Sequence, residues 1–443
     1  DGGADRDTLV VSDGAIDTNF RFVSSVEVLA VTKAGTTTLS TLAQRAGIDQ
    51  VDALNAGDDV VDAGTFTTGL TVNLAGGDDN VRTGSGADVF NIASFNKDDT
   101  LNAGAGKDTL NLDADTAISN VGAAFTGFEA INLGSGRDET TDGHSYSFEL
   151  DNDNAPNPNT GAQGQILAID GSALAADTDG AGALIAETLT VDASAVSSYR
   201  LDIKGGAAAD IIVSGQLSDT ISTGGGADFI LLTSGNNVVD AGADNDTVIL
   251  GSGDDNVSGG TGDDSFVVTG GNLSKADTIS GGAGANELLI TGSSVDAQYT
   301  NVTEVQTLRV FGAGSATTLA AEAEEAGILR VNLDNGGNTL NAGAYSAAAN
   351  LTVLGGDGFD AITTGAGADS VSAGDGDDTV TTGEGADFVA ARGGDDVVST
   401  GEGDDIVEMG TGDDTISLGS GNDVVEVSAV EPGTDEELDF ADA

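Results

Sequence analysis

The residues best suited to chemistry in this sequence are aspartates at a fixed interval. Asp360, Asp369, Asp378, Asp387, Asp396, Asp405, Asp414 and Asp423 stand nine residues apart. Gly376, Gly385, Gly394, Gly403, Gly412 and Gly421 keep the same step, and Val380, Val389, Val398, Val407, Ile416 and Val425 follow two residues after the acids. A second run places Asp210, Asp219, Asp228, Asn237, Asp246, Asp255 and Asp264 in the same phase, slips by four residues, and resumes at Asp277 and Asn286. A third, broken run holds Asp59, Asp79, Asp88, Asp99 and Asp108, with isolated copies at Asp7 and Asp138. Carboxylate oxygens in such a series are hard donors suited to Ca²⁺. A solvated acidic tract of low complexity has no reason to keep an aliphatic residue two places after each acid.

Other chemistries find little support. With no cysteine there is no disulfide framework and no thiolate metal site. The single histidine, His144, falls in a polar acidic stretch and reads as an exposed loop residue. Neither a G-x-S-x-G elbow nor a G-x-x-x-x-G-K-[ST] phosphate loop occurs. Asp151 and Asp153 begin like an EF-hand loop, but Ala155 and Pro156 occupy the next ligand and glycine positions. Glu27 and Glu129 read as outward-facing polar residues of strands. The expectation is therefore a protein without catalytic residues, whose only cofactor is Ca²⁺.

The elements that must position these acids follow from the same nine residues. Glycine serves where the chain turns sharply and where carbonyls must crowd an ion. The x-Val-x segment is a three-residue strand with one aliphatic side chain pointing inward. Two units make one coil of a solenoid, with turns on two sides and a file of Val, Ile and Leu inside.

The unit, for example Ala373-Gly374-Asp375-Gly376-Asp377-Asp378-Thr379-Val380-Thr381, resembles the nonapeptide of the RTX (repeats-in-toxin) family, G-G-x-G-x-D-x-U-x. The resemblance implies an all-β fold of right-handed parallel β-roll blocks. It also implies Ca²⁺ ions between turns on one side, roughly one per repeat. Each would be held by the sixth-position acid of one repeat, that of the next repeat but one, and backbone carbonyls. Asp360 would then pair with Asp378 and Asp369 with Asp387. Arg392, in place of a turn glycine, puts the ion beside it in doubt. Asn237 and Asn286 keep an oxygen but lose the charge.

The segments between the runs are themselves patterned. Val26–Val31, Phe128–Leu133 and Val305–Val310 look like copies of one strand. Stretches 38–48 and 318–328 begin with Thr, run through alanines and close on Gly47 or Gly327, which predicts short capped helices. Strands at Leu70–Leu74, Leu201–Ile203 and Leu351–Leu354 lead into the calcium runs. Three modules are expected: 1–110, a spacer with a broken repeat block; 111–289, a spacer carrying a surface loop at 142–164 and then the block 205–289; and 290–443, a spacer, the block 355–426 and a C-terminal exit segment.

Composition bounds the function. Acids outnumber bases 74 to 14, and the net charge is -60. Nucleic acid and anionic membrane surfaces are poor partners for such a chain. No apolar run reaches the ~20 residues of a membrane helix. Residues 2–10 already lie in a repeat, so the sequence reads as a piece of a longer polypeptide. About twenty ions, as the resemblance implies, would bring roughly +40 charges. The acidic, cysteine-free composition is similar to that of RTX-type S-layer proteins. The expected function is a self-assembling, S-layer-like lattice or filament subunit at a bacterial surface. It would be exported by type I secretion and attach to surface polysaccharide, if at all, through an anchor outside this chain. The alternatives are the calcium-stiffened stalk of a large RTX adhesin, and the repeat domain of an RTX toxin or hydrolase.

Overall fold

The computed structural model describes residues 1–96, 98–112, 125–134, 145–156, 165–174, 176–178, 184–269 and 271–427. The chain forms two compact units, Asp1–Ala243 and Asp244–Ala443. Each is a solenoid of short parallel strands, and after the first pair the strands join the strand one coil away rather than their chain neighbour. The antiparallel pair Ala176–Thr178 and Leu184–Ala186 is the exception among the described pairings.

The first unit opens with Thr8–Val11 paired to Val28–Val31. The ladder continues through Gln50–Ala53, Thr71–Leu74, Val89–Ile92, Thr109–Leu112 and Ala130–Leu133. A second face stacks Thr36–Thr38, Val60–Asp62, Asn80–Arg82 and Thr100–Asn102. In the second unit a long face runs from Thr247–Leu250 to Val424–Val427, and another stacks Ala316–Thr318 through Thr415–Ser417. Side chains alternate along each strand, so x-U-x sends one aliphatic group inward. Val61, Val81, Leu101, Val380, Val398 and Ile416 are all buried.

On one turn row of the second unit the core is edged by buried threonines. Thr364, Thr382 and Thr400 donate their hydroxyls to the carbonyls of Thr382, Thr400 and Leu418, one coil on, at 3.1, 3.0 and 2.8 Å. A buried hydroxyl must find such a partner.

The spacers are coils of the same solenoid rather than separate bodies. The strand copies at Val28–Val31, Ala130–Leu133 and Thr307–Phe311 stack on the repeats before them. The expected module borders at 110/111 and 289/290 are therefore crossed by continuous ladders, and the division into units falls after Ala243. Aromatic residues fill the core of spacer and repeat coils alike. Phe90 and Phe128 meet edge to face at 5.0 Å, and all four tyrosines are buried. The expected surface loop 142–164 is corrected in part: Tyr146–Glu149 is a strand paired with Leu189–Asp192, with Tyr146 and Phe148 in the core. The Tyr146 hydroxyl donates to Gly134 O at 2.8 Å, so the ring can be buried without a polar penalty. His144 lies outside the described residues.

The two expected helices are present, α1 at Thr41–Ala46 and α2 at Ala321–Ala326, and each closes on a left-handed glycine, Gly47 or Gly327. Their N-caps differ from expectation. Neither Ser40 nor Ala320 makes a side-chain cap. The cap comes from the preceding coil: Asp17 accepts from the amides of Ser40, Leu42 and Ala43 at 2.9, 3.1 and 3.0 Å. Asp296 does the same for Ala320, Glu322 and Ala323 at 2.6, 3.3 and 3.0 Å.

Candidate calcium-binding turns

The turns place the periodic acids in columns. Gly374 and Gly376 adopt φ of 121° and 136°, and a Cβ on Gly374 would lie 1.6 Å from Gly356 O of the coil before. Only glycine permits that approach. Arg392 takes the equivalent position with φ of 79°, opposite Gly374 in the ladder, and its Nε donates to Ser372 Oγ at 2.6 Å.

Within a column each acid uses one oxygen to accept the backbone N–H of the acid one coil earlier. Asp360, Asp378 and Asp396 donate to Oδ1 of Asp378, Asp396 and Asp414 at 2.8, 2.8 and 3.0 Å, each 18 residues on. Asp369, Asp387 and Asp405 donate likewise to Asp387, Asp405 and Asp423. Asp210 bonds Asp228, Asp219 bonds Asn237, and Asp246 bonds Asp264 in the same way. The broken run is unbroken in space. Asp59–Asp79–Asp99 and Asp88–Asp108 form two columns at intervals of 20 residues, because the extra residues are absorbed in turns. The four-residue slip is absorbed too: Asp255 bonds Asp277 and Asp264 bonds Asn286, each across 22 residues.

Apart from Asp138, which lies outside the described residues, every sequence-predicted ligand joins such a column. All are buried except Asp7 and Asp423, which are half-buried. The columns also include residues that the period did not flag. Asn338 donates to Asp360 Oδ1 at 2.6 Å and so precedes the run that begins at Asp360. Glu27 and Glu129, expected to face outward, accept the amides of Asp7 and Asp108 at 2.9 and 2.6 Å, and Gln306 accepts that of Asn286 at 2.7 Å. These three occupy the same place in the three strand copies, which is the sequence signal that could have revealed them.

The second carboxylate oxygen decides what the columns can bind. Oδ2 of Asp108, Asp264, Asp360, Asp378, Asp396 and Asp405 is buried and meets no hydrogen-bond donor among the described residues. Burial pushes the carboxyls of Asp108, Asp360 and Asp396 up to about 7 and that of Asp378 to about 6; one backbone amide each opposes the rise, and neighbouring carboxylates add to it. Asp88, Asp369 and Asp387 are raised by burial as well, tempered by Thr83, Thr364 and Thr382. A buried, bare carboxylate oxygen needs a proton or a cation.

Asn286 shows what surrounds that second atom. Its Oδ1 accepts from Asp264, which fixes the amide orientation, and its Nδ2 donates to Gly282 O at 3.3 Å and Glu304 O at 2.9 Å. Carbonyls of two successive coils thus converge on the position that is Oδ2 in an aspartate. Oxygen facing oxygen is repulsive unless a cation lies between, and carboxylate plus carbonyl is the donor set of Ca²⁺. Among the described residues no three His, Cys, Asp or Glu side chains gather into one metal-binding cluster. The donors that fit an ion here are the bare Oδ2 atoms and the turn carbonyls of the kind that surround Asn286.

The family model of the RTX calcium-binding nonapeptide repeat (4 copies) matches residues 96–116, 204–239, 231–266, 273–289, 354–389 and 391–425. No curated protein matches the chain. The matched segments hold the long ladders of stacked acids, and the intervals between them continue the same coils. The chain carries several copies of the RTX calcium-binding nonapeptide repeat.

Proposed function

We propose that this chain is a secreted, calcium-dependent structural protein of a bacterial surface, whose copies assemble into an S-layer-like lattice or filament, and that it is not an enzyme. One observation carries the reading. In a chain of net charge -60, the three-residue x-U-x segments of a six-stranded sheet in the second unit carry no charged side chain, and charge returns only where the two longest strands run on to Glu384 and Glu402. One outward file is Thr318, Asn341, Thr363, Thr381, Ser399 and Ser417; the other holds only Ala, Thr and Val. Polyanionic chains repel over most of their surface, so a strip of uncharged side chains is where two copies can approach. Calcium lowers the remaining charge and brings association within reach. No helix among the described residues is long and apolar enough to cross a membrane. Export through a type I channel and folding outside the cell agree with calcium-dependent coils.

Light scattering and negative-stain imaging with and without millimolar Ca²⁺ test the proposal. The expected result is ordered sheets or filaments that chelation disperses. Thr381→Glu with Val397→Lys in this uncharged strip should block assembly and leave the β spectrum in Ca²⁺ intact. Monomers alone at millimolar Ca²⁺ would refute the lattice reading and favour an adhesin stalk.

A further inference from the structure

Three amides interrupt the acid columns. Asn237 donates from Nδ2 to Gly235 O at 3.2 Å and Ser234 O at 3.4 Å. Asn286 donates to Gly282 O and Glu304 O, and Asn338 to Asp334 O at 3.2 Å and Asp334 Oδ1 at 2.8 Å. In each the Oδ1 keeps the ladder bond: Asp219 N reaches Asn237 at 2.9 Å, Asp264 N reaches Asn286 at 2.9 Å, and Ser315 N reaches Asn338 at 3.1 Å. Swapping oxygen and nitrogen would set N–H against N–H, so the orientation is forced. All three are buried.

We infer that Asn237, Asn286 and Asn338 are calcium-free rungs, at which the amide hydrogens take the place of the cation by satisfying nearby carbonyls and, at Asn338, the Asp334 carboxylate. The inference rests on the calcium-binding nature of the repeats and assigns where they do not bind. An amide keeps the ladder and removes the charge, so each of these rungs holds its coil together with no ion. Asn286 and Gln306, followed by Asn338, leave the coils between Asp277 and Asp360 without an acid in the columns. The calcium load is thereby divided into blocks, and its total falls short of one ion per repeat.

The difference between amide and acid is one heavy atom, so substitution tests it directly. Asn338→Asp sets a carboxylate beside Asp334 and its carbonyl, and Asn286→Asp sets one beside two carbonyls; both become oxygen cages. Bound Ca²⁺ is counted by isothermal titration and by metal analysis of the gel-filtered protein, with circular dichroism reporting the fold. Each Asn→Asp variant should bind one ion more than the unsubstituted chain and gain thermal stability in Ca²⁺. Asp378→Asn, the converse change inside a run, should bind fewer ions while keeping its β spectrum in saturating Ca²⁺. An unchanged count in a folded Asn→Asp variant overturns the inference. So does an Asp378→Asn protein that keeps the full count, and this variant decides the matter if the others fail to fold. An unsubstituted chain that binds no Ca²⁺ would instead refute the calcium reading itself.

Discussion

A single aspartate in these columns does two jobs with two oxygens. Oδ1 closes the backbone ladder, and Oδ2 faces acceptors and calls for a cation. Asp396→Ala removes both and strands the amide of Asp378, a buried donor whose loss of partner costs about 1–3 kcal/mol. Urea unfolding in saturating Ca²⁺ should show that loss, plus the loss of ion binding. Asp423→Ala, at a half-buried rung, should cost less. Equal midpoints for the two variants would contradict the shared ladder. The raised carboxyls set the pH response. Asp360 and Asp396 titrate at about 7 in the fold against 3.8 for the free side chain, so the folded chain binds more protons than the unfolded one between those values. Their contribution to stability is complete below pH ~4 and is lost as pH rises towards 7. Metal-depleted protein should therefore melt at a higher temperature at pH 5 than at pH 8. With Ca²⁺ present protons compete with the ion, so the calcium midpoint should rise as pH falls.

At the scale of elements, stability depends on contacts made one coil apart. The helices α1 and α2 have six residues each, too short to stand alone, and both depend on a carboxylate from the coil before. Burial works against ionisation of Asp17, but the amides and hydroxyl at the helix start outweigh it and hold its carboxyl below the usual range. Asp17→Ala and Asp296→Ala should each destabilise by about 1–2 kcal/mol, the cost of a lost cap. Thermal melts in saturating Ca²⁺ measure this. Ser40→Ala, which removes the hydroxyl but leaves the three amides on Asp17, should cost less. Turn glycines are less forgiving: a Cβ on Gly410 would come within 1.3 Å of Arg392 O, so Gly410→Ala should disrupt the coil that Arg392 begins.

For the whole molecule, charge governs folding. With 74 acids against 14 bases and a core of single aliphatic residues per strand, the metal-free chain must overcome both self-repulsion and chain entropy. Ion binding and folding are therefore expected to be coupled. Circular dichroism in excess chelator at neutral pH should show loss of most β structure, and millimolar Ca²⁺ should restore it. Mg²⁺ should substitute poorly, because it demands a compact octahedral shell and gives up water reluctantly. A full β spectrum without metal would contradict this coupling.

The sequence by itself determined the period, the ligand type, the inward aliphatic file and the parallel solenoid. It did so because 18-residue coils repeat side-chain chemistry at fixed positions. Asp378 and Val380 are legible without coordinates. The tertiary structure decided what lies across coils. Asp59 and Asp79 are 20 residues apart and Asp264 and Asn286 are 22 apart, yet they stack as closely as the regular rungs. Strands fix the register, and turns take up added residues without disturbing it, so a period counted along the chain loses a column that space preserves. The same reason hid Glu27, Glu129 and Gln306, whose longer side chains reach a rung from a spacer strand. It also hid Asp17 and Asp296, which cap helices more than 20 residues away. Tyr146, set among polar residues in the sequence, became core because a neighbouring coil offered its hydroxyl a carbonyl. Local pattern dictates which atoms a coil presents, and stacking dictates which atoms they meet.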